Sequence, residues 1–233
     1  MKTVLSSQSQ EVVVSTDGPI VMIGEKINPT GRKKLAAALQ AGDFEYVRQQ
    51  ALQQAAFGAH VLDVNVAVPG LDEKSLLPAV VKFLTAHTPL PLCLDSNNPE
   101  ALAAALEVAP GKPLVNSVSG EEGKLRDILP VVKARGAAVI GLTMDNAGIP
   151  ATAEARLAIA GRIIERAART GIPAEDVLID PLVLSVGAGG SCVITDAEKL
   201  GATVLASALL LARDPYGKRY LTHVRKMQAA AVR

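Results

Sequence analysis

The sequence predicts an α/β fold of the TIM type, a (β/α)8-like barrel shortened to about seven strands. Two observations predict it. Short β-branched runs alternate with longer Ala/Leu-rich amphipathic segments from residue 20 onward, the pattern of parallel strands joined by helical crossovers. Strand starts also recur about every 31 residues, the repeat length of a (β/α)8 barrel.

Strands are expected near 20–24, 60–66, 91–95, 113–118, 137–143 and 177–182, with helices near 31–40, 43–58, 73–87, 99–108, 121–135 and 151–171. Asn98-Pro99-Glu100 is a helix start, with a capping amide and proline at the first helical position. Gly58, Gly136 and Gly171 follow the last helical residues, where left-handed backbone favours glycine. After Leu184 the pattern breaks. Residues 185–191 read SVGAGGS before an apolar CVIT at 192–195, too short a link for a parallel crossover. Gly189-Gly190-Ser191 has linker composition. This fits the loss of one strand-and-helix unit better than an intact seven-stranded design. From about residue 197 two helices are expected, divided at Asp214-Pro215.

Residues 1–19 read as an N-terminal extension and 20–233 as the barrel domain. A barrel missing a strand leaves exposed strand edges. The extension, whose Glu11-Val12-Val13-Val14 has strand composition, or a second subunit in a homodimer is expected to cover them.

The 233 residues are 49% hydrophobic and 20% charged, enough for one core. Lys plus Arg number 24 against 23 Asp plus Glu, so the broad positive surface that nucleic acid requires is not expected. No run approaches the length of a membrane span and no signal peptide is recognisable, so a cytoplasmic protein with no membrane partner is expected. Cys93 and Cys192 lie in apolar runs and read as buried thiols.

Buried parallel strands are normally Val, Ile and Leu, yet here almost every strand carries acids or amides at its C-terminal end. These are Glu25 and Asn28, Asp63 and Asn65, Asp95 and Asn97, Asn116, the Met144-Asp145-Asn146 run, and Asp180. Helix capping suits Asn98 and Asp145, but Asp63, Asn116 and Asp180 lie inside apolar runs and point to function. Carboxylates and amides with few His or Cys suit hydrogen bonding to a flat heterocycle better than a transition metal. His60 begins its strand at the opposite end and reads as structural.

The motifs GEKIN (24–28), DVNV (63–66), CLDSNN (93–98), VNSVS (115–119), GLTMDNAGIP (141–150) and LIDPLVLSVG (178–187) are similar, in order and spacing, to the pterin-binding barrel of methyltetrahydrofolate:corrinoid methyltransferases. ARDPYGKRYLTHVR at 212–225 resembles that family's last helices. The resemblance implies a methyltransferase moving the N5-methyl group between methyltetrahydrofolate and the cobalt of a corrinoid (cobalamin) on a partner protein. It places Asp95, Asn116 and Asp180 on the pterin, with Asp95 and Asn116 as the catalytic pair. Asn97, Asp63 and Asn65 are further contributors, and Glu25, Asn28 and Met144 are expected at the same rim.

Family members carry one more strand, ending in a Ser-Asn pair whose asparagine reaches N5. Nothing equivalent stands between Ser185 and Cys192, which is expected to weaken N5 activation. Two alternatives stay open: a noncatalytic or engineered folate-binding barrel, and a dihydropteroate synthase-like enzyme.

Overall fold

Alternation of side chains along a strand sorts residues into two layers. In the strand over 61–64, Val61 and Asp63 face one side while Leu62 and Val64 face the other, and all four are buried. In the computed structural model this pattern repeats across a parallel sheet; the structure describes residues 2–15 and 17–182. The sheet runs β3 (Ile23–Ile27), β4 (Val61–Val64), β5 (Leu92–Asp95), β6 (Leu114–Ser119), β7 (Ala138–Leu142) and β8 (Val177–Asp180), in sequence order with every pair parallel.

Helices α1 (Lys33–Ala41), α2 (Phe44–Ala56), α3 (Glu73–Thr85), α4 (Pro99–Val108), α5 (Glu122–Arg135) and α6 (Ala153–Thr170) fill the crossovers. The result is a shortened (β/α)8 barrel. Leu62, Leu94, Val115 and Val139 pack outward against helix residues such as Leu77, Leu102, Ile128 and Ile163. Val61, Cys93, Leu114 and Ala138 pack inward.

The expected boundaries hold within a few residues, with one shift. β3 begins at Ile23 instead of residue 20 and reaches Ile27, because its register against β4 slips by one residue between Gly24 and Ile27. The buried Gln54 of α2 supports that irregularity, its Oε1 accepting from Lys26 N at 2.7 Å. Asn98 caps α4 as expected, accepting from the backbone N–H groups of Glu100 and Ala101. Asp145 does not cap α6; Thr152 does. Asp145 instead accepts from Ala147 N at 3.0 Å in a tight turn. The strand expected at 192–195, the two helices beyond 197 and Cys192 lie outside the described residues.

The N-terminal segment departs from expectation. Glu11–Ser15 (β2) pairs antiparallel with Lys2–Ser6 (β1), a strand hidden by its Ser- and Lys-containing composition, and it does not add to an edge of the parallel sheet. The hairpin lies across the N-terminal end of the barrel, where Leu5 and Val12 pack on Val61, Cys93, Leu114 and Ala138. Polar bonds fix it there. Ser6 N donates to Lys112 O at 2.9 Å, Lys112 N returns a bond to Ser6 O at 3.1 Å, and Ser7 Oγ donates to Pro89 O at 2.6 Å. Thr3 Oγ1 donates to Glu175 O, beside the Lys112–Asp176 ion pair of 2.6 Å. With this floor closed, the C-terminal strand ends are left as the accessible mouth.

Candidate active site

Barrel strands bring the residues at their C-terminal ends together, and the register here decides which meet. Asp63 stands opposite Cys93, Asp95 opposite Asn116, and Leu142 opposite Asp180. Asp95, Asn97, Asn116 and Met144, with Ser119 and Lys124, line one cleft of about 370 Å3. β6 carries an extra residue between Asn116 and Val118. A bulge of this kind re-aims side chains. Val115 and Val118 thereby both reach the helix-facing core, while Asn116 and Ser119 face the cleft.

Behind the cleft two side-chain pairs fix the floor. Asn65 Nδ2 donates to Asp95 Oδ2 at 3.0 Å, and Asn116 Nδ2 donates to Asp63 Oδ1 at 3.1 Å, reaching over β5 to do so. Asp63 is only 2% exposed. Burial pushes its carboxyl up to about 6, opposed by the Asn116 bond and assisted by the charges of Asp95 and Glu25. Burial also raises Asp95, against the lowering effect of Asn65. Cys93 is a free, buried thiol; burial and then the Asp63 charge hold it well above its ordinary range, so it stays protonated. The floor is therefore a set of acceptor oxygens in a partly dehydrated setting, where a donor-rich ligand gains most.

The remaining expected residues stand around this centre. Asn97 is exposed and accepts from Lys124 Nζ at 2.8 Å. Asp180 is one strand along from the cleft wall, and its Oδ1 accepts from Leu182 N at 2.7 Å. Its backbone oxygen accepts from Thr143 N and Thr143 Oγ1. Glu25 is exposed on β3, and Asn28 Oδ1 accepts from Thr30 N in the turn after it. His60 sits at the other end, its Nδ1 accepting from Met22 N at 2.9 Å, a structural contact.

Lys124 is one of the cleft residues the sequence reading missed, with Ser117, Ser119 and Glu121. Lys124 lies in the first turn of α5, where side chains lean back toward the helix N-terminus and hence toward the mouth. Among the described residues no helix is long and apolar enough to cross a membrane.

Comparison with known proteins accords with this geometry. The chain is 31% identical over 191 residues to methionine synthase of Mycobacterium tuberculosis, covering 79% of this chain and 16% of that one. It is 31% identical over 172 residues to the methylcorrinoid:tetrahydrofolate methyltransferase of Eubacterium limosum, covering 72% and 62% of the two chains. The chain thus spans less than two thirds of either relative. Among solved structures, dihydropteroate synthase of Xanthomonas albilineans with 4-aminobenzoic acid superposes with a TM-score of 0.56 at 25% identity, over 85% of this chain and 72% of that one. The Yersinia pestis dihydropteroate synthase gives 0.57 at 16% identity, over 88% and 72%, a likeness of fold alone. The family described as pterin binding enzyme matches residues 24–192, and with the acceptor-lined cleft falling inside that span, the chain belongs to the pterin-binding enzymes.

Proposed function

We propose that the chain moves the N5-methyl group between methyltetrahydrofolate and the cobalt of a corrinoid carried by a partner protein, which enters as co-substrate. The observation that carries this reading is the pairing of Asp95 with Asn116, adjacent in register on the cleft floor and each braced from behind. The amino-pyrimidinone edge of a pterin offers neighbouring N–H and NH2 donors, which carboxylate and amide oxygens accept. Asp95 and Asn116 thereby orient the ring. Asn97, Met144 and Asp180 are further contacts around it, and Glu25 and Asn28 stand at the outer rim. The name of the Eubacterium limosum relative supports the corrinoid as the other methyl partner.

The chemical demand falls on N5. A tertiary amine leaves poorly, so N5 must gain a proton or a strong hydrogen bond as its methyl bond breaks. Groups supplying such help are worth about 10² to 10⁴ in rate. A ring held by its pyrimidinone edge on the floor directs N5 toward the open mouth, where the partner approaches. A cytoplasmic location and a homodimer covering the sheet edges belong to the same reading.

The test measures methyltetrahydrofolate binding and methyl transfer to cob(I)alamin on one preparation, with Asp95→Ala beside it. The expected result is binding and transfer by the native chain and loss of both in the variant. Absence of methyltetrahydrofolate binding by the native chain overturns the reading. A second reading is favoured by the Xanthomonas likeness: joining a pterin to an arylamine. Product formed from pterin pyrophosphate and 4-aminobenzoate would select it, and binding without either turnover would mark a noncatalytic folate-binding barrel.

A further inference from the structure

Asp63 and Asn116 hold different positions relative to the cleft. Asn116 lines it and is half-buried; Asp63 is not among the described lining residues and is sealed behind it. Asp63 has no ion-pair partner among the described residues. The groups that face it are the Asn116 amide from β6, the Cys93 thiol and Asp95 from β5, and Glu25 from β3.

An ionised carboxylate only accepts hydrogen bonds, whereas a side-chain amide presents an oxygen on one side and NH2 on the other. The two ends of an amide have nearly the same shape, so the hydrogen-bonding neighbours decide which end points where. Here the neighbour behind Asn116 is the Asp63 carboxylate, so Nδ2 turns to Asp63 and Oδ1 is left for the cleft. We infer that Asp63 is a positioning residue: its carboxylate locks the Asn116 amide with oxygen toward the ligand, making the site select a ring that presents an N–H donor there. This rests on the pterin reading above and gives Asp63, expected from the sequence as a further contributor on the ring, a role through Asn116 without touching the ligand.

Protonating Asp63 turns it into a donor, and the amide is free to reverse and offer NH2 to the cleft. Affinity for a donor-bearing ring therefore weakens as the pH falls through about 6, where the buried Asp63 carboxyl takes up its proton.

The test uses the full chain with methyltetrahydrofolate as probe. Calorimetric affinities are compared for the native chain, Asp63→Ala, Asn116→Ala and the double variant. Asp63→Ala is expected to weaken binding about tenfold. The same change made on Asn116→Ala is expected to have no further effect, because the group it positions is gone. Asp63→Asn, which keeps size and, like the protonated carboxyl, offers both a donor and an acceptor, is expected to retain folding, to bind at neutral pH with the weaker affinity the native chain shows at low pH, and to lose the protein's own pH step. In the ligand-free chain, the side-chain NH2 resonances of Asn116 are expected to titrate with a midpoint near 6, and Asp63→Asn abolishes that titration.

Additive losses in the double variant, or Asn116 NH2 resonances that ignore pH, overturn the inference while the pterin reading stands. A native chain that fails to bind methyltetrahydrofolate overturns both. If Asp63→Ala does not fold, Asp63→Asn with the amide titration decides alone.

Discussion

Asn65 Nδ2 lies 3.0 Å from Asp95 Oδ2, joining the end of β4 to the end of β5 directly under the cleft. The bond holds one carboxylate oxygen and leaves the other for a ligand. It also opposes the upward push that burial exerts on the Asp95 carboxyl.

Removing that brace with Asn65→Ala frees the Asp95 side chain to rotate and lets its carboxyl rise further. Loss of a hydrogen bond to a charged group corresponds to about a tenfold loss of methyltetrahydrofolate affinity. Calorimetry at neutral pH reads the affinity, and carbon-detected NMR of the Asp95 carboxyl reads the rise. A variant that binds as tightly as the native chain would show that the brace contributes nothing to the site.

Asp63 makes stability depend on pH with a definite sign. Its carboxyl is raised from 3.8 in the unfolded chain to about 6 in the fold, so between those values the folded chain keeps a proton that the unfolded chain has released. The stability this group contributes is complete below the lower value and is lost as the pH rises through the upper one. Asp63→Asn removes the buried charge. The variant is expected to be more stable than the native chain at pH ~7.5, by roughly 1 to 3 kcal/mol, and to lose that advantage toward pH ~4. Urea denaturation at the two pH values measures the difference.

Leu5 tests the hairpin floor. It is fully buried against the inward layer of Val61, Cys93, Leu114 and Ala138, at the end of the barrel away from the cleft. Leu5→Ala is expected to cost about 2 to 5 kcal/mol of stability. Ligand affinity measured well below the new melting temperature should stay unchanged, because among the described residues the layer around Leu5 shares no member with the cleft lining.

Gly111 offers a backbone test of the same junction. Its φ is +69°, and a Cβ added there would sit 2.5 Å from Ser6 O, the atom that Lys112 N bonds. Gly111→Ala combines left-handed strain with that clash and is expected to lower stability by about 1 to 3 kcal/mol. A thermal melt matching the native chain would mean the hairpin moves away at no cost.

Much of the fold was legible because it depends on local pattern. The strand and helix alternation, the Asn98 cap and the glycines at 136 and 171, both left-handed in the structure, follow from chemistry within a few residues. The start of β3 was misplaced because Ile20, Val21 and Met22 form an apolar run indistinguishable from strand. Ile20 and Met22 are in fact exposed, and the strand begins only at Ile23. β1 was missed because Lys2 and Ser6 leave only Thr3 and Val4 as β-branched residues in it, and its partner is identifiable only by tertiary packing.

The acid and amide residues could be picked out one by one, but their division of labour could not. That Asp95 and Asn116 reach the cleft while Asp63 and Asn65 stand behind them depends on how far each side chain lies along the tilted wall. Asn116 meets Asp63 across an intervening strand, and no sequence spacing records that meeting.

The bond from Thr3 to Glu175 spans 172 residues of sequence. A chain leaving the ribosome in order therefore carries the stopper of its barrel long before there is a barrel to stop. Leu5 and Val12 lack their full inward layer until synthesis has passed Ala138, and Thr3 lacks its acceptor until it has passed Glu175.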